Sequence, residues 1–309
     1  MSFTKTKDRL WGLYDRFAGW LAHRPKPVRR AGHWVFGGVL WVAYFKPGGT
    51  VRTTFTALAK LVDEEKPARL FGSFVRSFMR GMDRTEQIRH GFTDEVDAML
   101  TIPEQAKLDA LLETQGVLLV IPHTNASLSL GRGLAQRYPV TALVRASRNE
   151  QRAASVAELY DRIGCDYMNV RNENPGTVAR KVLKALAEKR LIIGTVDRIQ
   201  NAPPPDTPAN GKTDMVRAIA FGEPIGIAGW PARFAARGKN PILPVMVDQT
   251  DSGMSLIMGE PIIPTKDIVE TTQKWVSGME QLVRAYPDEW AFSLDKYWSR
   301  VLTTASKRS

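Results

Sequence analysis

The sequence predicts an α/β fold, a mostly parallel or mixed central sheet flanked by helices, preceded by an N-terminal helical segment suited to a membrane surface. Three observations predict it. From about residue 116 onward, short bounded apolar runs alternate with amphipathic stretches of helical period, the rhythm of strands covered by helices. The basic excess of the chain, 43 Lys and Arg against 32 Asp and Glu, is concentrated near its start. No apolar run reaches the roughly 18 residues needed to cross a bilayer. With 309 residues, 43% of them hydrophobic and 24% charged, the chain can bury a large core and is neither disordered nor low in complexity. A single cysteine, Cys165, excludes an intramolecular disulfide and with it a secreted disulfide scaffold. Four histidines (His23, His33, His90, His123) and that cysteine offer no spacing for a structural zinc site, so no metal is expected.

Residues 1–50 form the membrane-associating segment of this reading, and residues 51–309 the main domain. Leu10, Leu13, Tyr14, Phe17, Trp20 and Leu21 recur at spacings of three and four, with Lys7, Arg9 and Arg16 among them. A basic knot at Arg24–Arg30 precedes His33–Phe45, thirteen almost wholly apolar residues that include Trp34 and Trp41. Aromatic rings favour the headgroup boundary and nearby cations favour anionic lipid, so anionic membrane lipids are the expected partner. Two ordinary helices packed on the main domain are the alternative. Nucleic acid is not expected, because no RNP, zinc-finger or helix-turn-helix spacing accompanies the charge.

Residues 52–112 read as helices, with Phe71, Phe74, Phe78 and Met82 forming one core stripe. Gly116–His123 reads as a buried strand, Ser127–Arg137 as a helix and Val140–Ala146 as a second strand. A helix over Arg148–Gly164 is ended by its glycine, and strand–helix–strand follows through residues 165–170, a helix opened by Pro175, and residues 191–197. The Pro- and Asn-rich stretch Gln200–Asp214 has the composition of a mobile flap. In Phe221–Ala235, Gly222 and Pro224 mark a turn before a helix, and Trp230, Phe234 and Val245 are expected to line an apolar trough. Two later strands lie within residues 240–262, and Thr271–Tyr286 is the terminal helix.

Ligands of such sheets gather beyond the carboxyl ends of the strands. His123 and Asp197 both stand there. Either one alone is more often structural, but at adjacent strand ends they make a base and its orienting carboxylate. Arg145 and Arg148, after another strand end, are candidates for meeting a phosphate.

Four segments in this order, GVLLVIPHTNASLSLG, the stretch from Ala142 to Arg198, AFGEPIGIAGWPARFAARGKNPILPVMV and YPDEWAFSLDKYW, resemble the lipid A late acyltransferases of the lysophospholipid acyltransferase superfamily. The resemblance covers roughly residues 30–300. It implies a glycerolipid acyltransferase-like fold at the cytoplasmic face of a bacterial inner membrane. It also implies transfer of an acyl chain from an acyl carrier protein or coenzyme A thioester, with no other cofactor, to a hydroxyl or amine of a lipid acceptor. In that chemistry His123 takes the acceptor's proton, and the oxyanion is met by backbone N–H groups near Gly194 or Gly229 or by Arg145 or Arg198. Asn125, Ser127, Arg145, Arg148, Arg198, Gly222 and Trp230 are the expected substrate-binding residues. The family places an acid four residues beyond its histidine, and here that position is Leu128. Three readings follow: Asp197 supplies the carboxylate instead, the acceptor is an easily activated amine, or the chain has lost transfer and binds a lipid or partner.

Overall fold

The computed structural model describes residues 16–147, 149–171, 173–209 and 214–308. Its centre is a seven-stranded mixed sheet. Strand β2 (Val117–Ile121) is an unbroken run of buried aliphatic residues because it lies between two parallel neighbours and under helices on both faces. Across the sheet the order is β1 (Leu100–Thr101), β10 (Met254–Met258), β9 (Ile242–Gln249), β2, β5 (Leu191–Thr195), β3 (Val140–Val144) and β4 (Asp166–Asn169). All pairs are parallel except β9–β10. Two short helices, α5 (Asp94–Asp97) and α6 (Gln105–Thr114), precede β2, and the crossovers are the helices read from the sequence: α7 (Ser127–Ala135), α8 (Glu150–Ile163) and α9 (Pro175–Ala187). Helix α8 stops where Gly164 adopts φ +78°, a conformation that costs glycine nothing. Helix α9 starts under an Asn174 side chain that accepts from Gly176 N at 2.8 Å.

The two faces of the sheet hold separate cores. Leu118, Val120 and Met246 face one with Phe55, Phe71, Trp275, Trp290 and Trp298. Leu119, Ile121, Val245 and Val247 face the other with Leu108 and Leu130. The Phe71 and Phe74 stripe belongs to the first, on α4 (Pro67–Arg89), beside α3 (Thr50–Leu61). Helix α11 (Ile268–Ala285), capped by Asp267, also closes that face.

Two regions differ from the sequence expectation. Three strands, β6 (Ile199–Asn201), β8 (Glu223–Ala228) and β7 (Met215–Ala220), form a second, antiparallel sheet, so the stretch expected as a flap begins inside a strand at Gln200 and Asn201, and the expected single turn is part of a hairpin. Its hairpin turns at Phe221 and Gly222 with φ of +51° and +75°, the left-handed pair that matches strand twist. Gly222 therefore turns a hairpin, and helix α10 (Trp230–Gly238) starts only after β8. The described part of the Pro-rich stretch is tethered: Arg217 donates to Pro203 O at 2.8 Å, and Arg233 donates to Ala209 O at 2.6 Å while pairing with Asp214.

At the N-terminus residues 16–22 are helical (α1), followed by α2 (Lys26–Phe45). Leu10, Leu13 and Tyr14 lie outside the described residues. Arg29, His33, Gly37 and Tyr44 are the buried positions of α2, and Tyr44 stacks on Phe71 of α4 at 4.5 Å. Trp34, Val35, Val39, Val42 and Phe45 remain exposed along its other side. Among the described residues no helix is long and apolar enough to cross a membrane.

Candidate active site

The register of the sheet brings the two expected residues together. Ile121 of β2 is paired with Thr195 of β5, so His123 and Asp197, each two residues further on, leave the sheet side by side. The Nδ1 of His123 bonds directly to Oδ1 of Asp197. Asp197 is fully buried, whereas the His123 side chain keeps 26% of its exposure. With the carboxylate at Nδ1 holding the ring proton there, Nε2 is left as the basic nitrogen. No other hydrogen bond to the ring is formed among the described residues.

A C-terminal strap completes the site. After α11 the chain runs through two short 3-10 turns, Pro287–Glu289 and Ala291–Leu294, into α12 (Lys296–Ala305). The strap pairs with the His123 loop like a fragment of antiparallel strand: Asn125 N donates to Glu289 O at 3.1 Å, Ala291 N donates to His123 O at 2.8 Å, and Thr124 bridges Trp290. Its side chains then fix the pair. Trp290 Nε1 donates to Asp197 Oδ2 at 2.8 Å, and Trp298 Nε1 donates to Asp197 O at 2.6 Å. Phe292 stacks on the His123 ring with centroids 4.3 Å apart and planes 18° from parallel.

Beneath the loop lies a buried polar cluster. Glu289 accepts from Ser77 Oγ at 2.8 Å and from Gln249 Nε2 at 2.7 Å, and Asn125 Nδ2 donates to Ser77 Oγ at 2.9 Å. Burial pushes the Glu289 carboxyl up to about 7, against these bonds, which favour its charged form. Helix α4 approaches so closely that a Cβ on Gly81 would sit 1.9 Å from Asn125 O.

The remaining expected residues fall as follows. Asn125 and Ser127 lock the loop rather than opening onto it, since Ser127 Oγ accepts from Thr124 N at 3.0 Å and donates to Thr124 O at 3.0 Å. Arg198 lies over the Phe292 ring at 5.5 Å, the same ring that stacks on His123. Arg145 is exposed beyond the end of β3, and Arg148 lies outside the described residues. Gly222, at its hairpin, faces open space, although the preceding Phe221 stacks on Trp290 at 6.2 Å. The Gly229 amide donates to Asp214 O at 2.8 Å, so it is not an open oxyanion donor. Gly194 sits within β5, where the Trp230 indole covers it at a distance of 3.0 Å from where a Cβ would lie. The trough of Trp230, Phe234 and Val245 does not form: the first two pack against one sheet-face core and Val245 belongs to the other, because alternate residues of β9 point to opposite faces. Leu128 packs against the second core.

Trp290, Phe292, Glu289, Ser77 and Gln249 carried no assigned role in the sequence reading. The aromatic density of YPDEWAFSLDKYW was the one available signal; Ser77 and Gln249 had none. No protein-family model matches the chain, and no curated protein matches it in sequence.

Proposed function

We propose that this protein is an acyltransferase working at a membrane surface, with His123 as general base and Asp197 as its orienting carboxylate. The acceptor is a hydroxyl or amine of a lipid or lipid-like molecule, and the donor is an acyl carrier protein or coenzyme A thioester. His123 Nε2 takes the acceptor's proton as its oxygen or nitrogen bonds to the thioester carbonyl carbon. The tetrahedral intermediate then expels the thiolate, which recovers that proton from the imidazolium as a thiol. Arg198, whose guanidinium lies over the Phe292 ring that covers His123, steadies the oxyanion in this reading.

The single observation that carries this reading is the direct bond between a partly exposed His123 and a fully buried Asp197 whose second oxygen is already held by Trp290. Asp197 thereby does the work of the acid that Leu128 replaces. The exposed apolar side of α2, with exposed Arg24 before the helix and exposed Lys46 after it, supports docking on the cytoplasmic face of an inner membrane.

The deciding measurement is thiol release from acyl-carrier and acyl-coenzyme A thioesters with lipid acceptors. His123→Ala and Asp197→Asn, both folded, should lower the rate by about 10²- to 10⁴-fold. The departure at Leu128 keeps a second reading, a lipid-binding homologue without turnover, and a folded wild-type chain inert toward all such donors would favour it.

A further inference from the structure

Helix α4 works on two sides. Ser77 and Gly81 meet the Asn125 loop, while Arg76, Arg80 and Arg84 follow one another every fourth residue and line a cavity of about 190 Å³ between α4 and α2.

The charges around this cavity do not balance. Its carboxylates are engaged: Asp83 accepts from Arg29 Nε at 2.8 Å, Glu95 from Arg29 Nη2 at 3.2 Å, and Asp251 pairs with Arg80 at 2.7 Å and Arg30 at 3.2 Å. Arg84 is buried, yet its partners are all neutral: Gln249 Oε1 at 2.7 Å, Thr250 O at 2.6 Å and Gly253 O at 3.1 Å. Among the described residues Arg76 donates only to Ser73 Oγ, at 2.9 Å. A buried guanidinium with no anion in contact is costly, and here it lies on the wall of a cavity that an anion can enter. Burial and the adjacent Arg80 both lower the proton affinity of Arg84, with Glu289, Asp83 and Asp251 opposing. An anion in the cavity would restore that affinity.

We propose that this cavity binds a phosphate ester group, held by Arg76, Arg80 and Arg84. A tetrahedral phosphate presents several oxygens to guanidinium forks, as a single carboxylate does not. Trp34 and Met79 complete the wall, and Trp34 continues onto the exposed apolar side of α2, so a phosphate carrying an acyl chain has a path out along the helix. This site goes beyond acyl transfer and does not rest on it; an inert result in the thioester assay leaves it untouched.

The test is calorimetric titration of the full chain with inorganic phosphate and, separately, with dihexanoyl phosphatidate, each against sodium chloride of equal ionic strength. Wild-type protein should bind at least one of the two. Arg76→Gln/Arg80→Gln should weaken that binding at least tenfold, while Arg180→Gln/Lys184→Gln on α9 leaves it unchanged. Equal affinity for both ligands identifies the phosphate group alone as what is recognised. Tighter binding of phosphatidate identifies a lipid headgroup whose chain also contacts the wall. Should the double variant unfold, Arg76→Gln on the exposed rim decides, with a several-fold loss expected. Absence of binding to both ligands, or binding that survives the variants, overturns the site.

Discussion

Asp197 is fully buried, and three of its oxygens each meet a ring nitrogen: His123 at Oδ1, Trp290 at Oδ2 and Trp298 at the main-chain oxygen. Trp290→Phe deletes the donor together with the five-membered half of a fully buried indole, so a void adds to the lost bond. The orphaned carboxylate oxygen should cost about 1–3 kcal/mol of stability, read as a lower denaturant midpoint. It should also slow thiol release tenfold or more with little change in KM, since Trp290 holds the carboxylate rather than the substrate. A second prediction concerns Glu289, whose carboxyl burial pushes up to about 7 from an ordinary 4.5. Between those values the folded state binds more protons than the unfolded chain, so stability is full below about pH 4.5. It then falls as pH rises through 7, by up to about 3 kcal/mol. Urea unfolding of wild type and Glu289→Gln at pH 5 and pH 8 checks this. The variant should lose distinctly less stability across that interval, and equal losses would contradict the assignment.

At the scale of elements, the contact between α4 and the His123 loop is set by one missing methyl group. A Cβ on Gly81 would stand 1.9 Å from Asn125 O, so Gly81→Ala must displace either the helix or the loop. Overpacking of this kind costs roughly 1–3 kcal/mol, and here it should also reduce thiol release because the loop carries His123. Gly38→Ala on α2 is the matched control: its Cβ would meet nothing within 4 Å, and helix propensity predicts a gain of about 0.5–1 kcal/mol. Thermal unfolding of the two variants side by side separates the effects. These elements also show what the sequence could express. Strands β2 and β5 were legible because both are short runs of buried aliphatic residues, and their ends marked His123 and Asp197. The strap was not legible as a site. It holds the His123 loop by backbone bonds between residues some 165 positions apart, and backbone bonds leave no residue signature. Strand β6 leaves no mark in the sequence, because three residues, two of them the start of the Pro-rich stretch, carry too little period to register. The layer of Val245 is hidden in the sequence, because an unbroken apolar strand does not announce which residue faces which core.

For the whole molecule, the exposed apolar residues of α2 fall on one side of a single helix: Trp34, Val35, Val39, Val42 and Phe45, spaced by one turn or less. A stripe of this kind left in water is unfavourable, whereas at a bilayer surface it is buried without the chain having to cross it. Exposed Arg24 precedes α2, and exposed Lys46 follows it beside Val42 and Phe45, each able to add about 1 kcal/mol of attraction to anionic lipid. The two contributions separate experimentally because salt screens charge and leaves apolar burial in place. Flotation with vesicles of phosphatidylcholine containing phosphatidylglycerol should therefore weaken as sodium chloride is raised, down to the level seen on phosphatidylcholine alone. Val39→Glu/Val42→Glu should lose at least tenfold in binding on either vesicle. Both side chains are exposed, so the unfolding midpoint of the variant should stay at the wild-type value. If the variant floats as well as wild type, α2 is not the docking element.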